Sequence, residues 1–214
     1  MPPTSRPPGH GGRPTAAEGR RRQQRLLEEA GAMFMSRGFD GTSVDAVAEA
    51  AGMSKRTVYA RYRDKNELFS AVLRELIDRC LVPFNQFQTG TRQLEPTLME
   101  IGRHLLSIAL TPQSVGLYRI LIAEAERRPE FARLAHAEGR QPAIRGIAAA
   151  LRRHARELRV RNLERSAEQF LSLVVDSSLR AAAFGLGSDA IDIESKVQAA
   201  VDLFLNGAGA KQRG

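Results

Sequence analysis

The chain has 214 residues, 43% of them hydrophobic, with 32 basic against 24 acidic side chains and a net charge of +8, enough to fold as one large or two small soluble domains. The longest run without Asp, Glu, Lys or Arg, His104 to Tyr118, is broken by Pro112 and falls short of the ~20 apolar residues of a membrane-spanning helix; the first residues also lack the apolar core of a secretory signal, so a cytoplasmic protein without membrane contact is expected. One cysteine, Cys80, excludes an internal disulfide, and His10, His104, His136 and His154 have no metal-ligand spacing, so neither a structural zinc nor another cofactor is expected.

The basic excess is uneven: residues 1–25 hold six arginines and one glutamate. Residues 1–18, rich in Pro and Gly, cannot bury enough apolar surface to offset ordering and read as a basic tail. Leu26, Leu27, Ala30, Met33 and Phe34 then recur at the spacing of one helix face, giving a first helix over about 19–37 that Gly38 terminates. Thr42 or Ser43 caps a short second helix with Val44, Val47, Ala48 and Ala51, which Gly52 breaks. Ser54 caps a third from Lys55 to about Tyr62, and Asp64 with Glu67 has the form of a capping box for a fourth that carries Leu68, Phe69, Val72, Leu73, Leu76 and Ile77. Further helices are expected near 94–110, 113–127, 129–138, 142–158, 162–184 and 192–205, with Pro96, Pro129 and Pro142 in first turns. No convincing strand pattern is present, so the fold class is all-α, a helix-turn-helix domain followed by a helical bundle.

The segment Val44–Arg63, VDAVAEAAGMSKRTVYARYR, has helix-turn-helix spacing. Ala48 allows close approach, Gly52 makes the turn, and Val47, Ala51, Met53 and Val58 supply a shared core. Val58 and Tyr62, four apart, face inward, which leaves Arg56, Tyr59, Ala60 and Arg63 outward with Lys55 beside them. Such a helix enters a DNA major groove. Lys55 and Arg56 suit guanine edges; Thr57, Tyr59 and Arg61 suit phosphates. Lys65, a cation in a first helical turn, opposes the helix dipole and suggests a phosphate there. The arginines of the tail and of the run Arg20–Arg22 are candidates for phosphate or minor-groove contact, as against a merely solvated terminus.

The run Phe39–Phe69, FDGTSVDAVAEAAGMSKRTVYARYRDKNELF, resembles the N-terminal domain of the TetR/AcrR transcriptional regulators over about residues 19–80. The resemblance implies DNA contacts at Thr42, Ser43, Lys55, Arg56, Thr57, Tyr59, Arg61 and Lys65. Arg56 stands where many members have Gly, and Arg63 where many have Pro, so no operator sequence follows. Gly116–Arg153 and Ala167–Val175 are similar to AefR-like members, which implies that residues 81–214 form a dimerisation and effector-binding domain.

The resemblance makes Phe170, Leu171, Val174, Ile193, Val197, Ala200, Val201 and Phe204 a dimer face; the alternative is that these residues complete the monomer core. Phe84, Phe87, Leu98, Leu105, Leu121, Ile122, Phe131 and Phe170 are candidates to line an effector cavity, since pockets in helical bundles are apolar. His104 reads as a partly buried structural histidine and Cys80 as a small buried hydrophobe. The expectation is a homodimeric repressor on a palindromic DNA operator, released by a small-molecule effector. The competing reading is an architectural DNA-binding protein without effector response. No glycine-rich phosphate loop, paired-histidine motif or serine elbow supports an enzyme.

Overall fold

Helix α1 (Ala16–Arg37) begins where Thr15 and Glu18 cap one another: the Glu18 amide donates to Thr15 Oγ1 at 3.2 Å and the Thr15 amide to Glu18 Oε2 at 2.8 Å. This capping box starts the helix at Ala16 rather than near residue 19, inside a stretch whose composition reads as tail. The structure is a computed structural model that describes residues 15–81, 93–186 and 192–208; the rest of the expected tail, with Phe84 and Phe87, lies outside the described residues. Leu26, Leu27, Ala30, Gly31 and Phe34 form the buried side of α1.

Helices α2 (Val44–Ala50) and α3 (Lys55–Tyr59) are capped by Ser43 and Ser54, whose hydroxyls accept the Ala46 and Thr57 amides at 3.2 Å each. Between them the Met53 amide bonds to the Ala48 carbonyl at 2.9 Å and the Gly52 amide to Glu49 at 3.0 Å. That pair of bonds is a Schellman motif, and it requires the left-handed φ of 66° that Gly52 supplies. Helix α4 (Lys65–Leu81) lies across α1 and buries Leu68, Phe69, Val72, Leu73 and Ile77.

The second half is built from α5 (Leu94–Ala109), α6 (Pro112–Ala123), α7 (Pro129–Leu134), α8 (Gln141–Arg153), α9 (Leu163–Leu171), α10 (Ser177–Ala183) and α11 (Ile193–Ala208). Among the described residues there is no strand. Nor is any single helix there long and apolar enough to cross a membrane. Helix α6 ends at Ala123, short of the expected Arg127.

The expected helices 129–138 and 142–158 are one helix, joined by a π turn, Ala135–Arg140. Pro142 is the cause. Its ring would clash with the carbonyl four residues back and it has no amide to donate; the Gln141 amide instead reaches the His136 carbonyl, five residues back. The turn lies against α4, where a Cβ on Gly139 would stand 3.3 Å from Ile77 Cγ1. A second π turn, Ser172–Asp176, interrupts α9 and α10. Arg140 joins the two, donating to Ser172 Oγ at 2.9 Å and pairing with Asp176 at 3.2 Å.

Two cores result. One gathers α5, α8, α9 and α11 around Leu98, Ile101, Ile147, Leu151, Phe170 and Val201. The other belongs to the helix-turn-helix unit but reaches into the second half through Leu117, Ile120 and Phe131. Phe131 is 1% exposed, with its ring centroid 4.5 Å from Phe69 and 5.3 Å from Phe39. Phe131→Ala is expected to destabilise the fold by about 3–5 kcal/mol, measurable as a fall in the urea midpoint with unchanged slope.

Candidate nucleic-acid interface

Helix α3 has only five residues, so its orientation rests on its cap and on what it buries. Ser54 satisfies the Thr57 amide and also meets the Thr57 hydroxyl at 2.7 Å. Val58 is fully buried and Tyr62 nearly so, and Lys55, Arg56, Tyr59, Ala60 and Arg63 are exposed as the spacing predicts, with Thr57 and Arg61 exposed beside them. Ser43 is exposed at the start of α2.

The charges on this face are not equivalent. Lys55 Nζ lies 2.6 Å from Asp45 Oδ2, tying α3 to the first turn of α2. The carboxylate raises the lysine pKa, and the lysine holds Asp45 below the usual carboxylate range. Asp45 also pushes the Tyr59 phenol up. Both partners of the pair are well exposed, so water and salt screen it and it adds little to stability. Its effect is on the surface: it neutralises one cation of the face. Arg56 and Arg61 pair with no carboxylate among the described residues and are its free charges. Arg63 is turned toward α4, where its amide and Nε each donate to Glu67 at 2.7 Å.

Two of the candidate positions have inward partners. Thr42 is 2% exposed and donates its hydroxyl to the Gly38 carbonyl at 2.9 Å, so it shapes the turn before α2 and does not share the exposed face. Lys65 is half-buried; its ammonium donates to the Asp40 carbonyl at 3.3 Å and stands 4.6 Å from the Phe39 ring centroid. Those contacts offset the unfavourable dipole from within the protein. Sequence reasoning missed Asp45, because no local pattern announces a partner ten residues away across a turn.

Among the described residues, the candidate effector residues are not brought together. Leu98, Leu105 and Phe170 are packed in the second-half core, whereas Phe131 and Leu121 belong to the core shared with the helix-turn-helix unit. Ile122 is 54% exposed at the end of α6. Spacing marks each as apolar and helical but cannot say which of two cores it enters. The expected dimer-face residues Phe170, Val174, Val197, Val201 and Phe204 are likewise buried within the monomer. Beside them runs an open groove of about 980 Å³, lined by Arg165, Gln169, Leu173, Lys196, Ala199 and Leu203 among others. His104 is half-buried with Nε2 3.1 Å from the Cys80 carbonyl. Burial pushes the Cys80 thiol up to about 11, which makes it a poor thiolate.

An exposed, partly basic helix set on a Schellman turn beside a capped partner helix is the core of a helix-turn-helix regulator, here joined to an all-helical second domain. The chain belongs to the TetR family: residues 26–72 match the family model for bacterial regulatory proteins of the tetR family, and residues 96–207 match that for the C-terminal domain of AefR-like transcriptional repressors. An HTH-type transcriptional regulator of Mycobacterium bovis is 33% identical over 108 residues, which span 50% of this chain and 50% of that relative's length. Among solved structures, the flavonoid-responsive regulator FrrA is 30% identical with a TM-score of 0.66, covering 90% of this chain and 99% of that one. A TetR-family regulator from Mesorhizobium loti shares the fold, with a TM-score of 0.77 at 24% identity over 89% of this chain and 98% of its own.

Replacing Asp45 by Asn leaves the Lys55 ammonium unpaired. The variant is expected to bind a random-sequence duplex more tightly, with a salt slope steeper by about 0.9 for each added phosphate contact. Fluorescence anisotropy over a range of salt concentrations checks this.

Proposed function

We propose that the protein is a cytoplasmic homodimeric repressor that reads a palindromic DNA operator with α3 and is released by a small-molecule effector. The observation that carries the reading is the pair of unpartnered, exposed arginines, Arg56 on a five-residue helix fixed by Ser54 and Val58 and Arg61 just beyond its end. Arg56, at the start of α3, is the base reader, able to donate two bonds to a guanine. Ser43, Thr57, Tyr59 and Arg61 serve the phosphates, and Lys55 joins them once it exchanges Asp45 for DNA. Lys65 contributes charge at the start of α4, where its ammonium lies over the Phe39 ring.

The groove along α9 and α11, where Leu203 is 61% exposed, is the seat for a second copy. A second copy seated there would present two α3 helices, which a two-fold operator requires ~34–36 Å apart. An effector acts by preferring one of two arrangements of the second domain, shifting DNA affinity by its differential binding. The responsiveness of FrrA to flavonoids makes small aromatic compounds the first class to screen.

Selection of bound sequences from a random duplex library tests the reading as a whole. An enriched inverted repeat is expected; salt-dependent binding without enrichment would favour an architectural protein, and no binding would leave the helix-turn-helix as a packing motif. On the enriched site, Arg56→Ala should cost about 1–3 kcal/mol of discrimination at one base pair, whereas Lys65→Ala should weaken all duplexes alike. Equal losses on specific and random DNA for Arg56→Ala would remove it as a base reader. Leu203→Glu is expected to halve the mass seen by light scattering at micromolar concentration.

A further inference from the structure

The first turns of α1 have no role in the core. No residue from Ala16 to Arg25 is buried, and the apolar face begins at Leu26; at ~1.5 Å per residue the overhang is about 15 Å long. Yet this overhang is helical, started by the Thr15–Glu18 capping box. It carries Arg20, Arg21, Arg22 and Arg25 against one acid, Glu18. Among the described residues none of the four is in an ion pair, and only Arg22 feels Glu18 at a distance. Arg21 and Arg25 stand one turn apart, a like-charge arrangement that mildly disfavours a helix.

The overhang is held next to the reading helix. Gln23 Nε2 donates to the hydroxyl of Tyr62, the residue after Arg61 in the turn from α3 to α4. Arg20 lies one turn farther out, about 60° round the helix from Gln23, and Arg22 about 100° round on the other side, while Arg21 and Arg25 stand on the face away from Gln23. The overhang is thus held near the turn that carries Arg61.

We infer that this arginine row is a second DNA-contacting surface, in which at least two of Arg20, Arg21, Arg22 and Arg25 bind the phosphodiester backbone flanking the site that α3 reads; the inference rests on the DNA-binding reading above. Charge complementarity and nearness to α3 select the occupant. Because phosphates carry no sequence, the row adds affinity without adding preference.

The test uses the full chain with all four arginines replaced by Ala, and a second variant with all four replaced by Lys. The positions are exposed and both residues favour helix, so the circular dichroism spectrum should be unchanged. Each protein is titrated, over a range of salt concentrations, with the selected inverted repeat and with a random duplex of equal length. The Ala variant is expected to lose the same fold in affinity on both duplexes, with a slope shallower by at least about 1.8 per half-site, at ~0.9 per phosphate; the Lys variant should keep the wild-type slope. An unchanged slope in the Ala variant would overturn the inference, and so would a Lys variant that fails as badly as the Ala one. If wild-type protein binds neither duplex, the α3 reading falls, and this inference falls with it.

Discussion

Phe39 sits in the loop between α1 and α2, and its ring is packed by α1, α4 and α7 at once. It stacks on Phe34 at 5.7 Å, meets the edge of Phe69 at 5.5 Å and leans on Phe131 at 5.3 Å. Lys65 Nζ and the Arg128 guanidinium lie 4.6 and 4.2 Å from its centroid. Arg128 also pairs with Asp40 at 3.3 Å and is bonded to Glu124, itself buried at the end of α6. Edge-to-face rings and cation contacts have preferred geometries, so the loop that launches α2 is set by α1, α4 and α7 together. Helix α3 takes its direction from that loop through Ser43 and the turn at Gly52. A protein that answered an effector by moving α7 would have to move this ring or break its contacts.

What was legible in the sequence was what local chemistry decides. Ser43 and Ser54 cap because a hydroxyl before a helix meets an orphan amide wherever the chain goes next, and Gly38 and Gly52 turn because only their positive φ, 72° and 66°, fits there. The inward pair Val58 and Tyr62 and the outward face of α3 followed from helical spacing alone. What was not legible is tertiary. Thr42 looks like a surface hydroxyl until Gly38 supplies its acceptor. Lys55 looks like a free charge until α2 brings Asp45 beside it. Phe131 and Phe170 look alike in sequence yet serve different cores, and most of the residues expected to face a partner are buried in the monomer. Thr15 and Glu18 were a local signal, but the proline-rich residues before them hid it.

The surface inherits its character from these inward commitments. Because Lys55, Arg63 and Lys65 each have a partner within the protein, the unpaired positive charge among the described residues of the first domain lies on Arg37, Arg56, Arg61 and the overhang of α1. Net charge is then a poor description of the molecule; the distribution of unpaired charge, set by which acids fold back onto which bases, determines where a polyanion gains most.

The π turn at Ala135–Arg140 has a consequence for how one helix serves two neighbours. A turn closed over five residues instead of four holds one residue more than the α-helical pattern, and each residue is about 100° of rotation. The apolar stripe of α7, with Phe131, and that of α8, with Ile144, Ile147 and Leu151, are therefore out of phase along a backbone that never breaks. At the dislocation itself Glu138 meets Arg74 of α4 at 2.9 Å while Arg140 looks the other way, to Ser172 and Asp176. A straight helix of constant phase would have to choose between the reading domain and the bundle; this one faces both.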